Sequence, residues 1–132
     1  EAIVMLVLAV MVLLASTVSF ADEPNGPLRV VDGDTIYLGK QRHRLQGIDA
    51  PEINQECRKL DGTAWKCGKA ATTKLKKKIG AHPVTCVSNG RDRYKRHLSV
   101  CHAGGVNLNA WMIRQGWAVA YPTSFKPKSI SH

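Results

Sequence analysis

The chain has 132 residues and a formal charge of +9, with 19 Lys and Arg against 10 Asp and Glu. This length fits one compact domain and excludes a second domain of ordinary size. The excess of basic residues favours a polyanionic partner, either nucleic acid or an anionic membrane surface, although a basic protein without such a partner has the same composition.

Residues 2–21 form an almost uninterrupted apolar run without a charged residue. The run ends in Ser-Phe-Ala, a small-x-small pattern that signal peptidase accepts. We therefore predict a signal peptide over residues 1–21, cleaved after Ala21, and a secreted or periplasmic protein. An uncleaved membrane anchor is the alternative, because about 20 apolar residues can also span a bilayer. Since the chain opens with Glu1 and lacks a basic segment before the apolar run, we expect its true start upstream.

Three short β-branched or apolar runs follow and predict a meander of strands over residues 28–31, 35–38 and 43–48. Residues 32–34, Asp-Gly-Asp, join the first two strands as a hairpin turn. The third strand ends before Pro51, because proline cannot continue a strand ladder.

A helix is predicted after a polar loop over residues 53–62. Asp61 or Thr63 is its candidate N-cap, three lysines occupy its last turn, and Gly80 ends it. Two further strands are predicted over residues 83–87 and 97–101.

A second helix is predicted over residues 108–115, between an Asn107 N-cap and Gly116. Five short strands with two interspersed helices predict a β-rich α+β fold built on a five-stranded OB-type barrel. The domain is expected over residues 22–121, followed by an irregular tail over residues 122–132.

Four cysteines predict two disulfides, since an exported chain reaches an oxidising compartment. Their spacings of ten, nineteen and fifteen residues lack the close pairs that a zinc site needs. Strands 83–87 and 97–101, folded back on each other, bring Cys86 and Cys101 within bridging distance. We therefore predict the pairs Cys86–Cys101 and Cys57–Cys67.

Four acidic residues cluster in the first half of the predicted barrel, and their mutual repulsion is relieved if a hard cation such as Ca²⁺ lies between them. They are Asp32, Asp34, Asp49 and Glu52. Asp-Gly-Asp alone favours a plain turn. The alternation of residues 44–49 adds Arg44 to the same region, and its guanidinium offers a bidentate fork to phosphate. Surface salt bridges are the alternative explanation.

Four ordered segments resemble the signature blocks of the staphylococcal (micrococcal) nuclease family. They are residues 31–35 (VDGDT), 44–52 (RLQGIDAPE), 92–96 (DRYKR) and 107–121 (NLNAWMIRQGWAVAY). The resemblance extends over about residues 28–121. It implies an OB-type nuclease domain and Ca²⁺-dependent hydrolysis of phosphodiester bonds in DNA or RNA, with 3′-phosphate products.

The resemblance also implies roles for individual residues. Asp34 and Asp49 are the expected side-chain ligands of Ca²⁺, Ala50 contributes its backbone carbonyl, and Asp32 lies near the metal without binding it. Glu52 is the expected general base.

Arg44 and Arg96 are the expected phosphate-binding residues, which stabilise charge in the transition state. Tyr94 and Tyr121 match aromatic residues that contact the nucleotide. One departure concerns Lys95, which replaces a glycine of the family and could hold Arg96 differently if that position needs a positive φ.

Two other functions fit parts of the sequence. A nucleic-acid-binding module on the same fold would lack catalysis, and we disfavour it because every catalytic position is filled. A cationic protein of the membrane surface would need an amphipathic basic helix with aromatic anchors, which the lysine-rich helix lacks. We expect a monomer without an obligate protein partner, and membrane contact only if the N-terminal segment is uncleaved.

Overall fold

The computed structural model describes residues 2–5, which are helical, and residues 26–122. Within these two ranges no helix has the length and apolarity needed to cross a bilayer. The predicted signal peptide and the predicted tail fall outside these ranges, apart from residues 2–5 and Pro122, so both stay predictions.

Residues 26–122 form ten strands and two helices. In chain order they are β1 (Leu28–Asp32), β2 (Thr35–Leu38), β3 (Gln41–Leu45), β4 (Ile48–Asp49), β5 (Cys57–Arg58), β6 (Ala64–Trp65), α1 (Cys67–Ile79), β7 (Val84–Arg91), β8 (His97–Ala103), β9 (Val106–Asn107), α2 (Leu108–Arg114) and β10 (Val119–Ala120).

The main sheet has the strand order β1-β2-β3-β8-β7, and β9 pairs with β8. These five strands are the five that the sequence predicts. Their pairings are antiparallel except between β3 and β8, which run parallel from the pair His43 and His97. The predicted β-rich α+β class is confirmed. Among the described residues, hydrogen bonds leave the sheet open between β1 and β7, and α1 packs against β1.

The predicted third strand is divided in two. Gly47 has a φ of 80°, a conformation that glycine adopts without steric cost, so the chain turns between Leu45 and Ile48. The second piece, β4, leaves the main sheet and pairs with β10. This turn directs the segment after β4 toward the outer side of β3.

The first helix begins at Cys67, so the predicted caps Asp61 and Thr63 are wrong. The segment before α1 forms a small hairpin, β5–β6, and the Asp61 carboxylate accepts a hydrogen bond from Thr63 N at 2.8 Å within its loop. At the second helix the prediction is confirmed, because the Asn107 side chain accepts from Ala110 N at 3.1 Å.

The core lies between the inner face of the main sheet and the two helices. Its fully buried side chains include Ile36, Leu45, Leu75, Leu108 and Met112. Burial of each such side chain stabilises the fold by about 1.5–3 kcal/mol. Both predicted disulfides are present: Cys86–Cys101 joins β7 to β8, and Cys57–Cys67 ties the β5–β6 hairpin to the start of α1.

Candidate active site

An open cleft of about 430 Å³ lies between the outer face of β1–β3, the segment after β4 and the start of β8. The outer face is the side of these strands that points away from the core. Seven residues that the sequence singled out line this one cleft: Asp32, Asp34, Arg44, Asp49, Ala50, Glu52 and Arg96. The structure thus brings together the acidic and basic side chains that lie as far apart as 64 positions in the chain.

Asp34 is the most buried acid of the cleft, with 5% of its surface exposed. Its Oδ1 accepts a hydrogen bond from Thr35 Oγ1 at 3.0 Å, and its Oδ2 accepts one from Ala50 N at 2.8 Å. The second bond fixes the backbone of the segment after β4 against the β1–β2 turn. Asp34 therefore joins two segments of the cleft.

The pKa of Asp34 is raised to about 6. Burial is the largest cause, and the neighbouring Asp32 carboxylate raises it further, while the hydrogen bond from Ala50 N and the charge of Arg44 act in the opposite direction. A carboxyl group whose pKa is raised this far has too little positive charge around it to stabilise its ionised form. A bound cation would supply that charge.

Arg44 extends from β3 across the floor of the cleft. Its Nη1 lies 3.2 Å from Asp34 Oδ2, and its Nη2 lies 3.4 Å from Asp49 Oδ1. Nη1 also donates to the carbonyl oxygen of Ile48 at 2.9 Å. These contacts hold the guanidinium beside the two predicted metal ligands.

Arg96 is held by the turn that precedes β8. Asp92 Oδ2 accepts from Arg96 Nε at 2.7 Å, while Asp92 Oδ1 accepts from the backbone N–H groups of Tyr94 and Arg96 at 2.9 and 3.0 Å. Burial of Asp92 opposes its ionisation, but these hydrogen bonds outweigh burial and hold its pKa below the ordinary value. Asp92 is not among the site residues predicted from the sequence, although its place in the DRYKR block is a signal for this role.

Lys95 has a φ of 63°, and it is the one residue other than glycine with a positive φ in the part of the chain that the structure describes. The lysine therefore adopts the conformation that a glycine would take there, at a cost of about 1–2 kcal/mol. The turn keeps its hydrogen bonds, including Lys95 N to Asp92 O at 3.0 Å.

Glu52 lies on the exposed rim of the cleft, in the segment between β4 and the β5–β6 hairpin. This segment rests on the start of α1. Gly68 N donates to Gln55 O at 3.2 Å, and a Cβ at position 68 would overlap the carbonyl oxygen of Glu52. The absence of a side chain at Gly68 therefore sets where the backbone of Glu52 can lie.

Tyr94 and Tyr121 are both exposed and neither lines the cleft. Tyr94 stands beside it, because its ring lies 5.3 Å from Arg96 Cζ. Arg42, which is not among the predicted site residues, does line the cleft from β3. Its alternation with buried His43 in β3 was a usable signal for an outward-facing side chain.

The donor groups of the cleft fit a hard divalent cation. Asp34, Asp49 and the Ala50 carbonyl offer oxygen ligands only, which suits Ca²⁺ or Mg²⁺ better than softer metals. Across residues 2–5 and 26–122, no three His, Cys, Asp or Glu side chains converge as a complete metal site. The raised pKa of Asp34 and the repulsion from Asp32 are nevertheless the features that a cation would relieve.

Residues 42–131 match the family described as staphylococcal nuclease homologue. The chain is 39% identical over 103 residues to the succinoglycan biosynthesis protein ExoI of Rhizobium meliloti (strain 1021), covering 76% of the chain and 54% of that relative. It is 36% identical over 106 residues to an uncharacterized endonuclease of Escherichia coli O157:H7, covering 76% and 63%. It is also 34% identical over 134 residues to micrococcal nuclease of Shigella flexneri, covering 92% and 71%. The chain thus spans between about half and two thirds of the length of the first two relatives.

Proposed function

Because the chain belongs to the staphylococcal nuclease homologue family, we propose that it is an exported, Ca²⁺-dependent nuclease that hydrolyses phosphodiester bonds of DNA or RNA. One observation carries the proposal: three arginines and four acids from separate segments line a single open cleft. Four acids close together, with Asp34 buried among them, are costly to the fold unless the cleft binds a cation.

Two of these arginines bind the scissile phosphate in this proposal. Arg44 approaches from β3 and Arg96 from the turn before β8, so that their guanidinium groups contact different phosphate oxygens. Both side chains are mostly buried, with 15% and 20% of their surfaces exposed, and are fixed by carboxylates before substrate arrives. Preorganised positive charge of this kind stabilises the pentacovalent transition state, which carries more negative charge than the substrate does.

Glu52 acts as the general base. Its place on the exposed rim of the cleft gives water access to the carboxylate, which accepts a proton as the water oxygen bonds to phosphorus. The bond from phosphorus to the 5′ oxygen then breaks, and this oxygen takes a proton from water, so that one product strand ends in a 3′-phosphate and the other begins with a 5′-hydroxyl. Asp34, Asp49 and the Ala50 carbonyl would hold Ca²⁺, which supplies positive charge to the phosphate oxygens when bound.

Export fits the chemistry of the cysteines. Both cysteine pairs form disulfides, and structural disulfides persist in the periplasm or outside the cell. The signal peptide predicted over residues 1–21 would deliver the chain there. The positive charge of +9 favours encounter with nucleic acid at low salt.

The test is digestion of single-stranded DNA, duplex DNA and RNA by the purified protein, with Ca²⁺ and with a chelator. Glu52→Ala and Arg96→Ala are compared with the matched controls Glu56→Ala and Arg114→Ala, which change exposed residues of the same type. We expect cleavage that requires Ca²⁺ and falls by at least about a hundredfold in the first pair only. Folded protein that binds DNA equally with chelator and never cuts it would make the chain a binding module.

A further inference from the structure

A second row of side chains crosses the outer face of β1–β3 beside the cleft. Arg29 of β1 is the strand partner of Tyr37 in β2, and Tyr37 is the partner of Arg42 in β3. Side chains of paired residues lie on the same face of a sheet. The three therefore form a continuous arginine–tyrosine–arginine row, which we call the outer row.

The two arginines of the outer row are held by the aromatic ring. Arg29 Cζ lies 4.3 Å from the centre of the Tyr37 ring, and Arg42 Cζ lies 6.0 Å from it. Within the described ranges neither arginine forms an ion pair, and the Nε of Arg42 has no hydrogen-bond acceptor. The two guanidinium groups thus lie on either side of Tyr37 in the sheet, and no ion pair within the described residues compensates their charge.

The outer row is continuous with the cleft. The next pair along the same strands is Thr35 with Arg44, and both residues line the cleft. Two residues along a strand correspond to about 7 Å. Arg42 itself belongs to both, since it lines the cleft and ends the outer row. A strand of nucleic acid whose scissile phosphate sits at Arg44 therefore has its neighbouring backbone within reach of Arg42 and Arg29.

We propose that Arg29 and Arg42 bind backbone phosphates of the substrate next to the scissile bond, so that the enzyme favours polynucleotides over substrates too short to reach the outer row. Tyr37 acts as a positioning residue that keeps the two guanidinium groups apart and directed outward. This inference rests on the proposed function, because it extends the same cleft.

The chemistry of the outer row favours phosphate over other partners. A guanidinium presents its N–H groups as a planar fork that matches phosphate oxygens. Because it is weakly hydrated, it exchanges its water molecules for phosphate oxygens at low cost. A lipid surface would require apolar side chains that insert between the lipids, whereas the ring of Tyr37 is in contact with its two arginines. The arginines contact the backbone of the nucleic acid and not its bases. Binding therefore depends on the length of the strand and not on its sequence.

The first test compares kcat/KM on a long single-stranded oligonucleotide with kcat/KM on a dinucleotide. The variant is the double substitution Arg29→Gln and Arg42→Gln, and the matched control is Lys59→Gln with Arg114→Gln, which removes the same charge from exposed positions elsewhere. We expect the ratio of kcat/KM on the oligonucleotide to kcat/KM on the dinucleotide to fall about tenfold or more in the double variant and to stay unchanged in the control. Equal rates for the variant and the control on the oligonucleotide would overturn the proposal.

The second test measures binding without cleavage, so it also stands if the protein proves not to be a nuclease. The affinity for single-stranded DNA is measured in chelator at several salt concentrations. Each lost phosphate contact lowers the slope of log K against log salt by about 0.7, so the double variant should lose about 1.4. A slope that falls no more than in the control would overturn the proposal. If the wild type cleaves neither the oligonucleotide nor the dinucleotide with Ca²⁺ present, only the proposed function is refuted.

Three single variants separate these effects from misfolding and from charge alone. Arg29→Gln changes an exposed side chain, so it keeps the fold and should still lose part of the oligonucleotide preference. Tyr37→Phe should keep the preference, because the ring remains, whereas Tyr37→Leu should lower it with both arginines still present. An equal preference for the oligonucleotide in the Tyr37→Phe and Tyr37→Leu variants would refute the positioning role of Tyr37.

Discussion

Arg44 Nη1 lies 3.2 Å from Asp34 Oδ2, so the guanidinium that is proposed to bind phosphate is paired with the carboxylate that is proposed to bind metal. The arginine is the cation nearest to Asp34, yet the pKa of this acid stays at about 6 because burial and Asp32 outweigh the pair. The cleft therefore stores unfavourable electrostatic energy that ligands can relieve.

We predict that Asp34→Asn stabilises the fold and abolishes cleavage. The folded protein holds a proton on Asp34 up to a pH of about 6, whereas the unfolded chain releases it near 3.8, so the stability contributed by this group falls as the pH rises between these values. At pH 7 the neutral amide should raise the free energy of unfolding by about 1–3 kcal/mol. Thermal unfolding checks this, and a lower Tm than that of the wild type would contradict it.

Ca²⁺ should stabilise the wild-type protein through the same carboxylates. A ligand at a hundred times its Kd adds about 2.7 kcal/mol to the free energy of unfolding. We expect Ca²⁺ to raise the Tm of the wild type and of the control Glu56→Gln. Asp34→Asn and Asp49→Asn should show little or no rise. An equal rise in all four proteins would place the ion elsewhere.

His43 should make the fold sensitive to mild acid. Burial, and then the charge of His97, lower its pKa below 6.5, and its ring stacks on His97 at 5.2 Å. Its stabilising effect is therefore complete above about pH 6.5 and is lost as the pH falls toward its folded pKa. The contribution of Asp34 to stability changes with pH in the opposite direction. The comparison is therefore made in the Asp34→Asn background. Chemical denaturation between pH 7.5 and 5 should show a smaller loss of stability when His43→Gln is added.

Lys95→Gly should stabilise the turn that holds Arg96. Relief of the positive φ favours the glycine by about 1–2 kcal/mol, and the greater freedom of glycine in the unfolded chain removes about 0.5–1 kcal/mol of that gain. Lys95→Gln, which retains the strain and removes the charge, is the control and should leave the Tm unchanged. Because the turn already has its hydrogen bonds, kcat should stay within about twofold for both variants.

Asp92→Ala should lower kcat by about 10–100-fold, because Arg96 loses the carboxylate that orients its Nε. A double-mutant cycle with Arg96→Ala tests whether Asp92 acts through Arg96 alone. If it does, adding Asp92→Ala to Arg96→Ala costs nothing further in kcat/KM. Additive losses would give Asp92 a separate role.

Five of the six strands of the main sheet could be predicted because alternation and turn residues are local signals. The start of α1 could not, since Asp61 resembles a helix cap until the β5–β6 hairpin and its disulfide take its segment out of the helix. The parallel pairing of β3 with β8 joins residues more than 50 positions apart, as in His43 with His97, and no local pattern specifies it.

The cleft residues were found from sequence because short blocks with fixed chemistry surround them, and the structure brings all seven together. Arg42 and Asp92 were missed for different reasons. Arg42 depends on the register of three strands, whereas Asp92 acts through hydrogen bonds that only the folded turn reveals. Tyr121 lies outside the cleft, so its proposed contact with a nucleotide depends on a substrate that extends beyond it.

Gly68 lies in α1 and carries no functional group. Because it packs against the carbonyl oxygen of Glu52, we expect substitutions of Gly68 to abolish cleavage as substitutions of an active-site residue do. A side chain there has to displace the backbone that carries the proposed general base, Glu52. In a library of random substitutions screened for loss of cleavage in folded protein, position 68 should therefore tolerate almost nothing, whereas its neighbour Lys69 should accept most residues.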